Sequence, residues 1–253
     1  HPEWLASRII GERGYDFAEA FLACNNRPAP LTIQVNTLKI SPEDYRRALL
    51  RAEIEFEYDE RLSGCFVLPS GNVAELPGFA DGLFYVQDRA ARTAAEIAAP
   101  EPGMTVLDAC SAPGGKSFAA AIRMNGKGSI LSCDIHEKKL KLISAGAERL
   151  GIDIIKTAAM DARRRDAALE KSFDVVIADV PCSGLGVIAK KPEIRGKTEA
   201  EISALPAIQR DILDNLSAYV RPGGVLLYST CTVLRAENED VVNAFLASHG
   251  EFA

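Results

Sequence analysis

The sequence contains no apolar run near the ~20 residues that span a membrane and opens with no basic, apolar leader. His is scarce, at three residues, and the six cysteines (Cys24, Cys65, Cys110, Cys133, Cys182, Cys231) form no C-x-x-C pair. Zinc spacings and a regular disulfide framework are therefore missing, and no metal is expected. A reduced, cytoplasmic setting without membrane contact is expected, with the chain acting as a monomer. Excess positive charge is also missing. The net charge of −6 gives no global attraction to nucleic acid, so any such contact needs a local basic patch. No internal repeat or low-complexity tract is present. Two nucleotide motifs are lacking as well. G-x-G-x-x-G does not occur, and the phosphate loop G-x-x-x-x-G-K-[ST] ends correctly in Gly115-Lys116-Ser117 but has Cys110 in place of its first Gly.

What is present suits a sizeable core. The 253 residues are 47% hydrophobic and 25% charged, enough for one large domain or two smaller ones. The chain opens on His1 rather than Met, so a fragment or processed chain is expected. Residues 1–82 read as an accessory α+β domain. Trp4, Leu5, Ile9, Ile10, Phe17, Phe21 and Leu22 have helical spacing, broken near Asn25–Pro28. A strand at Leu31–Asn36 precedes a helix from Ser41-Pro42-Glu43-Asp44 to about Ala52, with a cap, a first-turn Pro and acids at its start. Strands follow at Glu53–Tyr58 and Cys65–Leu68. This order occurs in small RNA-binding modules and in many unrelated folds.

From Leu83 onward strands alternate with helices. Leu83–Val86 is strand-like and Asp88–Ala99 helical. The next strands are Thr105–Asp108, Ser129–Asp134, Ile154–Thr157, Phe173–Asp179 and Gly224–Ser229. The helices between and after them are Lys116–Met124, Glu137–Leu150, Arg164–Lys171, Pro206–Val220 and Glu237–Ser248. Alternation of this kind predicts an α/β fold with a doubly wound, mostly parallel Rossmann-like sheet spanning residues 83–253.

The stretch Val106-Leu-Asp-Ala-Cys-Ser-Ala-Pro-Gly-Gly-Lys116 runs from strand to helix, where α/β sheets bind ligands. It reads as a phosphate loop with a fault, as the first loop of an S-adenosylmethionine-binding fold, or as a tight turn without a ligand. The remaining strand ends bear on the choice. They carry Asp134, Asp161 and Asp179, none with a cationic partner evident in sequence. Asp134 stands where an acid takes ribose hydroxyls, Asp161 where one meets an adenine amino group, and Asp179 nearest the reacting end. Loop capping or solvated surface would explain any one of them alone. Cys182, in Asp-Val-Pro-Cys-Ser-Gly, and Cys231, in Tyr-Ser-Thr-Cys-Thr, follow the fourth and fifth strand ends. If those strands are neighbours, ~4.8 Å apart, both thiols reach one planar base. Cys24 and Cys65 read as small buried hydrophobes, and Cys110 and Cys133 pack near the loop.

Asp108-Ala-Cys-Ser-Ala-Pro-Gly-Gly-Lys116, Asp179-Val-Pro-Cys-Ser-Gly184 and Ser229-Thr-Cys-Thr232 together resemble the Fmu/Sun family of RNA (cytosine-5)-methyltransferases, most closely the bacterial enzymes of 16S ribosomal RNA. The resemblance includes His1-Pro-Glu-Trp-Leu5, Leu76-Pro-Gly-Phe79 and Val86-Gln-Asp88. It implies S-adenosylmethionine as cofactor, held by Cys110, Ser111, Ala112, Pro113, Gly114, Gly115, Lys116, Asp134, Asp161 and Asp179. It implies Cys231 as nucleophile, Cys182 as the thiol that helps release product, Asp179 at the cytosine, Lys116 ordering the site, and ribosomal RNA as partner. A family N-terminal helical domain and closing β-hairpin are not found in this sequence, and Lys190-Lys191-Pro192-Glu193-Ile194-Arg195-Gly196 keeps the family's basic character without its aromatic. An amino-group methyltransferase fits poorly, because Val180-Pro181-Cys182 replaces the Pro-Pro-aromatic that chemistry uses. A non-catalytic, cofactor-binding RNA-binding or assembly factor is the alternative.

Overall fold

The computed structural model describes residues 1–69 and 71–252; Ser70 and Ala253 lie outside the described residues. In chain order the elements are α1 (Glu3–Arg13), α2 (Tyr15–Cys24), β1 (Leu31–Val35), α3 (Pro42–Arg51), β2 (Glu57–Tyr58), β3 (Cys65–Leu68), β4 (Phe84–Val86), α4 (Arg89–Ala98), β5 (Thr105–Asp108), α5 (Gly115–Arg123), β6 (Ser129–Asp134), α6 (Glu137–Leu150), β7 (Ile155–Ala159), β8 (Phe173–Asp179), α7 (Glu199–Ile202), α8 (Leu205–Ser217), β9 (Val220–Ser229) and α9 (Glu239–Ser248). The chain forms two compact units. One joins His1–Ala29, Asp179–Asn215 and the stretch from Tyr228 onward; the other joins Pro30–Ala178 and Leu216–Leu227. No helix among the described residues is long and apolar enough to cross a membrane.

The Pro30–Ala178 unit holds a four-stranded antiparallel sheet, order β2-β3-β1-β4, and a five-stranded sheet, order β7-β6-β5-β8-β9. Ser41 caps α3 by accepting from the Asp44 N–H at 3.0 Å. One face of α3 buries Tyr45 and Leu49 against Ile33, Val35, Phe66 and Phe84. In the larger sheet β5 pairs in parallel with β6 and with β8, and β6 with β7. The order therefore reverses at β5, which is the switch point where such sheets leave a crevice. Residues Phe173–Ala178 of β8 are all buried, as expected for a strand covered on both faces. Phe118, Ile122, Ile130, Ile143, Leu150, Val175 and Ile177 form the core beside it. Asn36 Nδ2 bonds Gly82 O (2.9 Å) and Leu150 O (2.8 Å), and Arg149 bonds Phe79 O (2.7 Å), which locks the small sheet to α6.

The other unit is mostly helical. Gly14, at φ 87°, separates α1 from α2. Leu5, Ile9 and Ala18 pack on Leu185, Ile188, Ile194, Ile202 and Leu234. Arg13 Nη2 bonds Glu239 Oε1 at 2.7 Å, and Glu12 accepts from the Arg235 N–H at 3.0 Å.

Several elements differ from the sequence reading. Leu83–Val86, read with the second domain, supplies β4 of the N-terminal sheet because it pairs with β1. Residues 1–29 cluster with the later segments. The helix expected at Arg164–Lys171 is a 3-10 turn at Ala167–Leu169. There Asp166 caps the Ala168 N–H (3.0 Å), Arg165 pairs with Glu170 (2.8 Å), and the Tyr219 hydroxyl accepts from the Asp166 N–H (2.7 Å). The strand expected at Glu53–Tyr58 is confined to Glu57–Tyr58, since Glu53 has φ 54° and the Ile54 N–H still bonds back to Leu49 O (3.1 Å).

Candidate active site

The loop after β5 is held tightly. Ser111 donates to Cys133 O twice, from its N–H (2.7 Å) and its hydroxyl (3.0 Å), and the Gly114 N–H donates to Ser111 O (2.7 Å). The Ala112–Pro113 peptide is cis. Gly114 has φ 111°, and a Cβ there would come within 2.6 Å of the Phe118 ring, so no other residue fits. Below the loop, Ser117 donates to Asp108 Oδ2 (2.7 Å) and meets Ser132 Oγ (2.7 Å); all three residues are buried. This network ties β5, β6 and α5 together. Helix α5 then opens at Gly115 with no side-chain cap, so its first turn presents N–H groups and the positive end of the helix dipole. Lys116 is half-buried in that turn, and Cys110 is half-buried ahead of it.

The acids lie beside this loop as the strand order requires. Asp134 ends β6 and is 7% exposed, with one carboxylate oxygen accepting from the His136 N–H at 2.9 Å. Asp161 follows β7 and has a cationic partner, contrary to the sequence reading. Arg163 donates to both its oxygens, at 3.0 and 2.8 Å, and these bonds hold its carboxyl below the usual range. A carboxylate near a strand end, a second one beside it and an uncapped helix start suit a nucleoside that carries an amino-acid tail. A phosphate would meet too many acids.

The two cysteines meet in the other unit. Asp179 closes β8, and its carboxylate accepts from the Ser229 hydroxyl at 2.7 Å, next to the backbone bond from Val180 N–H to Ser229 O (3.1 Å). That pairing sets the two strand ends side by side. Cys182 Sγ and Cys231 Sγ lie 3.2 Å apart, and the Cys231 N–H points at Cys182 Sγ, also at 3.2 Å. Cys231 is exposed and Cys182 half-buried. The hydrogen bond with the Cys231 thiol, then burial, pushes the Cys182 pKa far above the ordinary thiol value, so Cys182 keeps its proton at neutral pH.

Residues not singled out from sequence hold this pair in place. The Ser183 hydroxyl donates to Thr232 Oγ1 (2.7 Å), one residue beyond each cysteine. Glu237, 1% exposed, accepts from the Ser183 N–H (2.8 Å) and from Gln209 Nε2 (2.9 Å); that Gln209 nitrogen also reaches Pro181 O (3.0 Å). The Gly186 N–H donates to Cys231 O (2.9 Å). Ser183 and Thr232 were visible as polar neighbours of the cysteines, whereas Glu237 gave no signal, because an acid in a helix start reads as solvated. Among the described residues no group of three or more His, Cys, Asp or Glu could hold a metal.

Residues 95–253 match the family model described as 16S rRNA methyltransferase RsmB/F, and residues 1–73 match its ferredoxin-like domain. The chain belongs to the RsmB/F methyltransferase family. It is 38% identical over its whole length to the "Probable ribosomal RNA small subunit methyltransferase B" of Bacillus subtilis (strain 168), covering 57% of that protein. It is 33% identical to the ribosomal RNA small subunit methyltransferase B of Serratia proteamaculans (strain 568), with 99% of this chain and 58% of that protein covered. The chain thus spans somewhat more than half the length of these curated relatives. Among solved structures, a methyltransferase homolog protein from Pyrococcus horikoshii aligns with TM-score 0.85 at 28% identity, over 98% of this chain and 79% of that one. NSun6 from Pyrococcus horikoshii with SFG aligns with TM-score 0.89 at 22% identity, over 98% and 87%, which speaks to the shared α/β fold.

Proposed function

We propose that this chain transfers a methyl group from S-adenosylmethionine to C5 of a cytosine in small-subunit ribosomal RNA. The observation that carries the reading is the pair of thiols 3.2 Å apart at the ends of β8 and β9, beside Asp179. The RsmB/F membership, the relatives' names and the ligand SFG on NSun6, an S-adenosylmethionine analogue, support it. Bound S-adenosylmethionine would supply an electrophilic methyl group. Cys110 to Lys116 would hold it with Asp134, Asp161 and Asp179, the uncapped start of α5 meeting its carboxylate and Asp134 its ribose. The four-stranded N-terminal sheet, β4 included, would add RNA contacts.

Cytosine C5 is too weak a nucleophile on its own. Addition of the Cys231 thiolate at C6 makes C5 enamine-like, which is covalent catalysis. Methyl transfer then places two substituents on C5. A base removes the C5 proton, the C6–S bond breaks, and the thiolate is restored. Cys231 suits the attacking role because it is exposed, whereas Cys182 retains its proton and suits the release step.

The test is a denaturing gel of protein, ribosomal RNA and S-adenosylmethionine. Cys182→Ala should leave a slow-migrating covalent RNA adduct, and Cys231→Ala should give neither adduct nor 5-methylcytosine. The reverse pattern makes Cys182 the nucleophile, and full activity in both variants removes these thiols from the mechanism.

A further inference from the structure

Gln87 lies between β4 and α4, and no role in the site has been given to it so far. It is 6% exposed. Its backbone is fixed on both sides: the N–H donates to Thr32 O (3.2 Å), and the carbonyl accepts from Gln34 Nε2 (3.1 Å). Its side-chain oxygen accepts from the Tyr85 hydroxyl at 3.3 Å. The Nε2 amide is buried with no hydrogen-bond partner among the described residues. Leaving such a donor unpaired is costly, so its two N–H groups call for an acceptor from outside the chain.

The place of that amide says which acceptor. Nε2 lies 3.3 Å from where a Cβ on Gly115 would stand, with Cδ and Cγ of Gln87 at 3.8 and 3.9 Å. The side chain therefore packs closely on the first residue of α5. The same helix start has no side-chain cap. An amide donor next to a helix N-terminus makes a site for one small anion, with hydrogen bonds from a neutral group and a dipole. We infer that Gln87 Nε2 donates to the carboxylate of the cofactor's amino-acid tail, beside the first turn of α5. The inference rests on the cofactor reading above and adds a residue to it.

The experiment is calorimetric binding of two ligands that differ in that tail. S-Adenosylhomocysteine carries the carboxylate; 5′-methylthioadenosine carries the same nucleoside without it. The proteins are the wild type, Gln87→Met, which keeps the volume and removes the N–H, and Gln87→Glu, which puts an oxygen in its place. The expected result is an adenosylhomocysteine Kd raised about tenfold or more in Gln87→Met, and further in Gln87→Glu. The methylthioadenosine Kd should stay within twofold of wild type, which also reports that each variant is folded; if Gln87→Met does not fold, Gln87→Glu decides alone. Unchanged adenosylhomocysteine binding in Gln87→Met overturns the inference, as does equal weakening of both ligands. Wild-type-like binding by Gln87→Glu overturns it too, since an oxygen would then be facing the loop. A wild type that binds neither ligand instead overturns the cofactor reading itself.

Discussion

Cys133 shows how far a single residue is governed by its surroundings. It is 1% exposed, and burial, reinforced by Asp108 and Asp134, pushes its pKa up to about 12. Cys182 is raised by its neighbour's thiol and by burial. Unfolded thiols lose their proton near ~8.5. The folded state prefers the protonated form, so this contribution to stability is complete below about pH 8.5 and is lost as pH rises toward the folded value. The loss approaches about 1.4 kcal/mol per pH unit for each such thiol. Urea midpoints should therefore fall less between pH 7.5 and 10 in Cys133→Ala than in the wild type; parallel falls would contradict the argument. At this scale the sequence was informative where position alone carries meaning. Asp134, Cys182 and Cys231 could be picked out because they end strands. Gln87 and Glu237 could not, because what distinguishes them is burial and the partners they have or lack.

Among the elements, the loop from β5 into α5 was the most legible, since Pro113-Gly114-Gly115 between an apolar strand and an Ala-rich helix allows few conformations. The 160s were the least legible. Arg165 and Asp166 read as a helix, but their side chains are engaged by Glu170 and the Ala168 N–H, and these local bonds displace the helical ones. The short turn at Leu185–Val187 makes its own prediction. A Cβ on Gly186 would lie 2.9 Å from Cys231 O, so Gly186→Ala must push that carbonyl, and with it the thiol, by a few tenths of an ångström. Methyl transfer should slow about tenfold while adenosylhomocysteine binding stays the same. A wild-type rate would show that the Cys231 backbone yields without moving its sulfur.

For the whole molecule, charge and chain order matter most. With a net charge of −6, the proposed RNA substrate must be met locally. Much of the basic sequence is already engaged: Arg163 with Asp161, Arg165 with Glu170, Arg195 with Asn25 O (2.6 Å), and Lys197 with Ser183 O (2.8 Å). Lys190 and Lys191 are both exposed, and we propose them as phosphate contacts. Reversing both to Glu should weaken RNA binding and flatten its salt dependence by roughly 0.7–0.9 log units per log unit of salt for each phosphate no longer neutralised. An unchanged slope would take this patch out of the interface. The alternation of strands and helices made the five-stranded sheet predictable. The division into units was not, because it depends on packing between stretches far apart in the chain.

That division governs how the protein comes to be made. Within this stretch α1 and α2 are synthesised before the segments they pack on, and Leu5, Ile9 and Arg13 find Leu185, Leu234 and Glu239 only after those segments emerge. Between them the ribosome must produce the whole of Pro30–Ala178, which has most of its own partners at hand. Pro30–Ala178 can therefore settle before α1 and α2 do. For that interval the apolar side of two finished helices stays uncovered and open to chaperones or to neighbouring chains.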